Sequence, residues 1–274
     1  MSWSETEKLK IAELTSEESR RFLTGEAVVL IPLGSLEDQG THAPMGDYLG
    51  AECVALDIAR GAREFGIPTF VTPSIPFGGA DYFGSTHGGI AMSQSTLVAL
   101  LDDIFKCLTR HGINKIMLIN GHGGNVTAIT EVTHRWRQTT GIFVPSMYLW
   151  QISYELLKDI LGPEGAAKSS GHGGDPLTSI GLHYYPEILR LDLREKPSTG
   201  GKVRGVDVGG INAIRYAGAK IQAPVEALEA APHGIWGGDP VHSSAETGQK
   251  LSARLVEIGA GLIRDHVSSG FEAA

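Results

Sequence analysis

An α/β fold, a mainly parallel central sheet covered by helices on both faces, is predicted from three observations in the sequence. Short continuous apolar runs alternate with segments of helical periodicity in the order β, α, β, α. The first run, VVLIPL at 28 to 33, is apolar throughout and stops at Gly34, as a strand buried on both faces should. The polar, glycine-rich clusters lie after the strands, where open α/β sheets bind ligands.

The elements follow in order. After the loop 34 to 47, apolar positions Ala51, Val54, Ala55, Ile58 and Ala59 recur at helical spacing and stop near Gly66. Pro68 to Thr72 reads as the second strand. Beyond the glycine-rich segment 78 to 89, Ser93 caps an amphipathic helix carrying Leu97, Leu100, Leu101, Ile104 and Leu108, which ends at Gly112. Lys115 to Ile119 is the third strand and runs into NGHGGN, 120 to 125, which opens a helix through Trp136. Ile142 to Tyr148 reads as a fourth strand and Gln151 to Leu161 as a helix. Two more glycine-rich segments follow, SGHGGDP at 170 to 176 and HGIWGGDP at 233 to 240. Ser243 to Val267 is an amphipathic helix with Leu251, Leu255, Ile258, Leu262 and Ile263 on one face. Lys196 to Ala223, dominated by glycine, is expected to be the least structured part. No repeat or linker divides the chain, so one domain over 1–274 is expected.

Composition narrows the function. With 42% hydrophobic and 20% charged residues the chain can bury a sizeable core. Its net charge of -8, without a long run of either sign, argues against a nucleic-acid or anionic-membrane surface. Cys53 and Cys107 lie in apolar helical patterns and read as small buried hydrophobes, which fits a reducing cytoplasm. The polar segment Met1 to Arg21 lacks a secretory signal, and no stretch has the length of a membrane span.

The loop GSLEDQGTHAPMGD, 34 to 47, places Glu37, Asp38, His42 and Asp47 close together in a turn-rich context. Carboxylates with an imidazole suit zinc, manganese or iron better than calcium. Taken alone, such a loop is also what a solvated turn looks like. His122 changes the balance, because it sits at a strand end between glycines, where backbone can approach a ligand closely. A third loop supplies His172 and Asp175 in an equally glycine-rich setting.

GSLEDQGTHAPMGD, NGHGGN, SGHGGDPLTS and HGIWGGDPVHSSAETG resemble, in order, the four signature segments of the creatininase (creatinine amidohydrolase) family, over about Glu26 to Asp265. The resemblance implies a three-layer α/β/α sandwich and a metal-dependent hydrolase that cleaves C–N bonds of amides or cyclic amides. It also implies a homo-oligomer, a hexamer being one possibility, with a small molecule as the partner. Carried over by position, Glu37, Asp47 and His122 match family metal ligands. Where the family reads E-Q-H-G-P-H this chain reads EDQGTH, so Gln39 stands in the place of a metal-binding histidine, while His42 is kept. The acidic ligand of a second metal is missing at both places where relatives carry it, Gly124 and Leu177, and one residue is lost between Pro44 and Asp47. One divalent ion per subunit is therefore expected; the rival is a second site rebuilt by His42 or Asp175.

A metal so held would activate water and polarise a carbonyl. His172 matches a family histidine near the substrate and could carry a proton to the leaving nitrogen, or simply bond loop backbone. Asp175 is the second candidate acid or base. Gln39, His42, His87 and Trp150 are the expected substrate contacts, with 78 to 89 as one wall of the pocket. Trp150 and Trp236 could line the pocket, although a tryptophan next to a strand or glycine turn is more often a packing residue. His233 and His242 are not expected to be ligands, and His111, His134 and His266 are expected to face solvent. Lactone opening, deformylation, dehydration and binding without turnover are the alternative functions. A nucleotide site is disfavoured, because no G-x-G-x-x-G follows a strand and there is no G-x-x-x-x-G-K.

Overall fold

Four parallel strands form the centre of the molecule in the order β2-β1-β3-β4: β1 Val28–Leu33, β2 Thr69–Val71, β3 Lys115–Asn120 and β4 Ser146–Tyr148. The computed structural model describes residues 2–198 and 200–269, so the limits 1 and 274 of the expected domain lie outside the described residues. β1 and β3 pair along their full length, from Val28 with Lys115 to Leu33 with Asn120. Every residue of β1 is buried, as the unbroken apolar run predicted.

Side chains of successive strand residues alternate between faces, and each face has its own core. Val28, Leu30, Met117 and Ile119 pack under α2 (Tyr48–Glu64), α5 (Leu149–Ser169), α6 (Leu177–Tyr184) and α8 (Ala245–Leu262). Val29, Ile31, Leu33, Ile116 and Leu118 pack under α3 (Gln94–Thr109) and α4 (Val126–Thr140). The result is the expected three-layer α/β/α sandwich. Ser93 caps α3 by accepting from Thr96 N, and Gly141 ends α4 in the left-handed conformation. Gly248 lets α8 approach α6 closely, because a Cβ there would collide with the Ser179 carbonyl.

The largest departure from expectation is at 196 to 223. This stretch forms a second, antiparallel sheet: β5 Lys202–Val203, β6 Val206–Gly210, β7 Ala213–Tyr216 and β8 Ala219–Gln222. Arg204–Gly205 and Ala217–Gly218 take positive φ at both positions, the signature of two-residue hairpin turns. The glycines that suggested disorder are thus partly turn residues. Val208, Val225 and Ala230 make this sheet's small core, with Trp236 packed against it.

Other corrections are smaller. A helix α1, Ser16–Phe22, capped by a Thr15–Glu18 capping box, and α6 were not anticipated. β4 is shorter than expected, and α5 runs on to Ser169 across a kink at Gly162. Cys53 is half-buried, and burial pushes its thiol up to about 11, but Cys107 is exposed rather than buried; both are free. No helix is long and apolar enough to cross a membrane among the described residues.

Candidate metal centre

Register brings the ligands together. β1 and β3 are neighbours, so the loop leaving Leu33 and the loop leaving Asn120 emerge side by side at the carboxyl end of the sheet. Asn120 folds the second loop on itself: its Oδ1 accepts from His122 N at 3.0 Å and its Nδ2 donates to His122 O at 2.8 Å. Asn125 ties three loops, donating to Gly34 O at 3.1 Å and accepting from Gly79 N at 2.8 Å.

His122 Nδ1 lies 3.2 Å from Glu37 Oε1 and 3.3 Å from Asp47 Oδ2. All three side chains are buried or nearly so. Their ligand atoms fall within 4.8 Å of one another, the one such group among the described residues. In a tetrahedral site with bonds of about 2.1 Å, neighbouring ligand atoms sit about 3.4 Å apart, so these separations suit a small divalent ion. The surroundings fit as well. His122 Nε2 donates to Gly79 O at 3.1 Å, which leaves Nδ1 for the carboxylates. Ser35 donates both its backbone N–H and its hydroxyl to Asp47, the latter at 2.8 Å, and Gln39 Nε2 donates to Glu37 Oε1 at 3.2 Å.

The electrostatics call for a cation. Burial alone would lower the pKa of His122, but Glu37 and Asp47 outweigh it and raise it to about 10. Burial pushes Asp47 up against the opposing pull of His122. Two carboxylates out of water are stabilised by any positive charge set between them, whether proton or metal.

Residues 12–263 match the family model described as creatininase, creatinine amidohydrolase. The chain belongs to the creatininase family. Membership makes it a metal-dependent amidohydrolase, and the Glu37, Asp47 and His122 group is where its residues fit the metal. It is 30% identical over 200 residues to the creatinine amidohydrolase of Pseudomonas putida, covering 66% of this chain and 74% of that one. It is 25% identical over 256 residues to a mycofactocin precursor peptide peptidase of Mycobacterium ulcerans (strain Agy99), covering 90% of this chain and 88% of the relative. A solved structure described as creatininase Mn shares the fold, with a TM-score of 0.73 at 23% identity over 94% of this chain and 98% of that chain.

A cavity of about 230 Å³ opens on Glu37, Asp47 and His122. Gln39, Trp150 and His172 line it, as expected. Trp150 is also a packing residue, its Nε1 donating to Gly121 O. His172 bonds loop backbone, as one of its two readings had it. Its Nε2 donates to Asp38 O at 2.6 Å and its ring stacks on Phe83 at 4.8 Å, yet it faces the cavity.

Three expected site residues lie elsewhere. Asp175 is buried behind the wall, where its Oδ1 accepts from the Ser179 hydroxyl at 2.5 Å, and it does not line the cavity. His42 is buried with its Nε2 3.0 Å from Thr178 Oγ1, also outside the cavity. His87 is exposed; the 78 to 89 loop does form a wall, but through Tyr82 and Phe83. Neither His42 nor Asp175 is in the metal-capable group. Trp236 belongs to the small sheet's core, while His233, His242, His111, His134 and His266 are exposed.

The cavity also holds residues that the sequence reading passed over: Tyr148 at the end of β4, Tyr154 one turn into α5, and Ile211 between β6 and β7. Tyr148 could have been found from the strand-end rule; Ile211 could not, because its hairpin was read as irregular. Gly124 has a steric reason: a Cβ there would collide with Gly79 O and the His122 ring.

Proposed function

We propose that this chain hydrolyses the C–N bond of a small amide or cyclic amide using one divalent ion, manganese, zinc or iron, held by Glu37, Asp47 and His122. The observation that carries this reading is that the metal-capable group opens directly onto the cavity; the single ion follows from the family resemblance, which puts Gln39 and Leu177 at the places of a second metal's ligands. A bound divalent ion lowers the pKa of water and polarises a carbonyl. Hydrolysis adds the water oxygen to the carbonyl carbon, breaks the C–N bond and sends a water proton to nitrogen. His172 suits the proton transfer, since its Nε2–H is committed to Asp38 O and its Nδ1 lone pair is free to accept. Gln39 holds Glu37 by its amide and presents the rest of its side chain to the substrate.

Gln39, Gly124 and Leu177 depart from the family pattern at the cavity itself, which favours a substrate other than creatinine. A peptide bond is the second reading. It is supported by the name of the mycobacterial relative and by a groove that shares Tyr154 and Gly171 with the cavity and continues past Pro163 and Ala166. Family membership does not favour the lactonase, deformylase, dehydratase or non-catalytic alternatives. On the same resemblance we propose a homo-oligomer, to be tested as a hexamer by light scattering, and from composition, cysteine pattern and charge we propose one domain, a cytoplasmic location, and no nucleic-acid or membrane partner. The testing experiment is turnover of cyclic amides, formamides and short peptides by metal-loaded protein. Ring opening or amide cleavage is expected; no turnover of any compound with metal bound would overturn the proposal.

A further inference from the structure

We propose that the cavity selects neutral amides bearing an apolar or aromatic substituent, and that Ile211, at the β6–β7 turn, is a specificity-determining residue. The inference rests on the amide-hydrolase reading above and names its substrate class.

The charge inventory comes first. Among the described residues, no lysine or arginine lines the cavity, and Lys158 in the adjoining groove is paired with Glu155 at 2.7 Å. Its acidic groups are Glu37 and Asp47, whose two negative charges a divalent ion balances, leaving no positive charge over. Of its imidazoles, His122 is held between those carboxylates and His172 is bonded to Asp38 O and stacked on Phe83. A carboxylate on the substrate's far end would therefore lose water without gaining a counter-charge, which is costly. An apolar substituent would instead gain from burial against Phe83, Leu177 and Ile211.

Ile211 reaches the cavity because the small sheet is fastened to it. Trp236, in that sheet's core, donates its backbone N–H to His172 O at 2.9 Å, and Ala227, just beyond β8, donates to Tyr82 O at 2.9 Å. Gly210 pairs with Ala213, so Ile211 and Asn212 form the hairpin turn. The positive φ falls on Asn212, and Ile211 projects to the cavity with its side chain half-buried. A turn position of this kind accepts other side chains without disturbing either core.

The test measures binding of three cyclic amides to manganese-loaded protein by calorimetry: hydantoin, benzylhydantoin and benzylhydantoin carrying a para-carboxylate. Benzylhydantoin should bind at least about tenfold more tightly than the carboxylate compound. Ile211→Ala should weaken benzylhydantoin about threefold to tenfold while leaving hydantoin within about twofold. Ile211→Arg should tighten the carboxylate compound about tenfold by supplying the missing cation and, with the Ile211 contact to the benzyl group lost as well, close or reverse the gap between the two. Equal binding of the charged and neutral benzyl compounds, equal loss of hydantoin and benzylhydantoin in Ile211→Ala, or no binding of benzylhydantoin would each overturn the inference. The expected binding order without hydrolysis of any ring would support the selectivity and count against the hydrolase reading instead.

Discussion

His122 Nδ1 lies within 3.3 Å of Asp47 Oδ2, although 75 residues separate the two in sequence, and the Ser35 hydroxyl holds that same oxygen at 2.8 Å. The contact exists because β1 and β3 pair in register to their last residues. Ser35 does not reach the ligand position itself, so it acts as a positioning residue for Asp47. Ser35→Ala should lower metal affinity about tenfold, measured by competition with a chelator, with little change in thermal stability. Unchanged affinity would mean that the backbone N–H of Ser35 suffices.

The missing ligands of a second site should be restorable. Gln39 and Leu177 both line the cavity, and the family resemblance puts an imidazole and a carboxylate at these two places. A Gln39→His, Leu177→Glu double variant should take up a second metal per chain, read by elemental analysis. Gly124→Glu, by contrast, should fail to do so and should weaken the first site, because any Cβ at 124 displaces Gly79 O and the His122 ring.

His42 predicts an acid sensitivity. Burial first, and the Arg194 charge second, lower its pKa from 6.5 to about 4. Between those values the unfolded chain binds a proton that the folded chain refuses, so stability falls as pH drops from 6.5 towards 4 and is unaffected by this group above 6.5. The slope from this one residue is at most about 1.4 kcal/mol per pH unit. His42→Gln should flatten that part of the stability profile, measured by urea unfolding at several pH values. An unchanged slope would place the acid sensitivity on other groups.

Packing of α6 on α8 leaves no room for one methyl group. Gly248→Ala forces a Cβ against the Ser179 carbonyl, an overpacking that costs typically 1–3 kcal/mol or more. A fall in Tm of several degrees is expected by calorimetry. No change would mean that the two helices can separate at little cost.

The sandwich was legible because its strands carry the signal of burial on both faces. VVLIPL has no polar residue to mislead the reading, and its helices repeat apolar residues at helical spacing. The metal-capable group was legible from residue type and place, since Glu37, Asp47 and His122 all follow strands that turned out to be neighbours. What failed was local chemistry under competing signals. Arg204–Gly205 and Ala217–Gly218 are hairpin turns, but among many other glycines they read as the least structured part of the chain, and Ile211 was lost with them. Asp175 and His42 share motifs with residues that line the cavity, yet backbone geometry turns them to Ser179 and Thr178. Sequence proximity to a motif does not settle which way a side chain faces.

The central claim, one metal held by Glu37, Asp47 and His122, is tested most directly by the metal content of protein purified without chelators, alongside Glu37→Ala and His122→Ala. The account predicts one manganese, zinc or iron per chain, lost in both variants while the fold is retained by circular dichroism. Two metals per chain, or none after reconstitution, would contradict it.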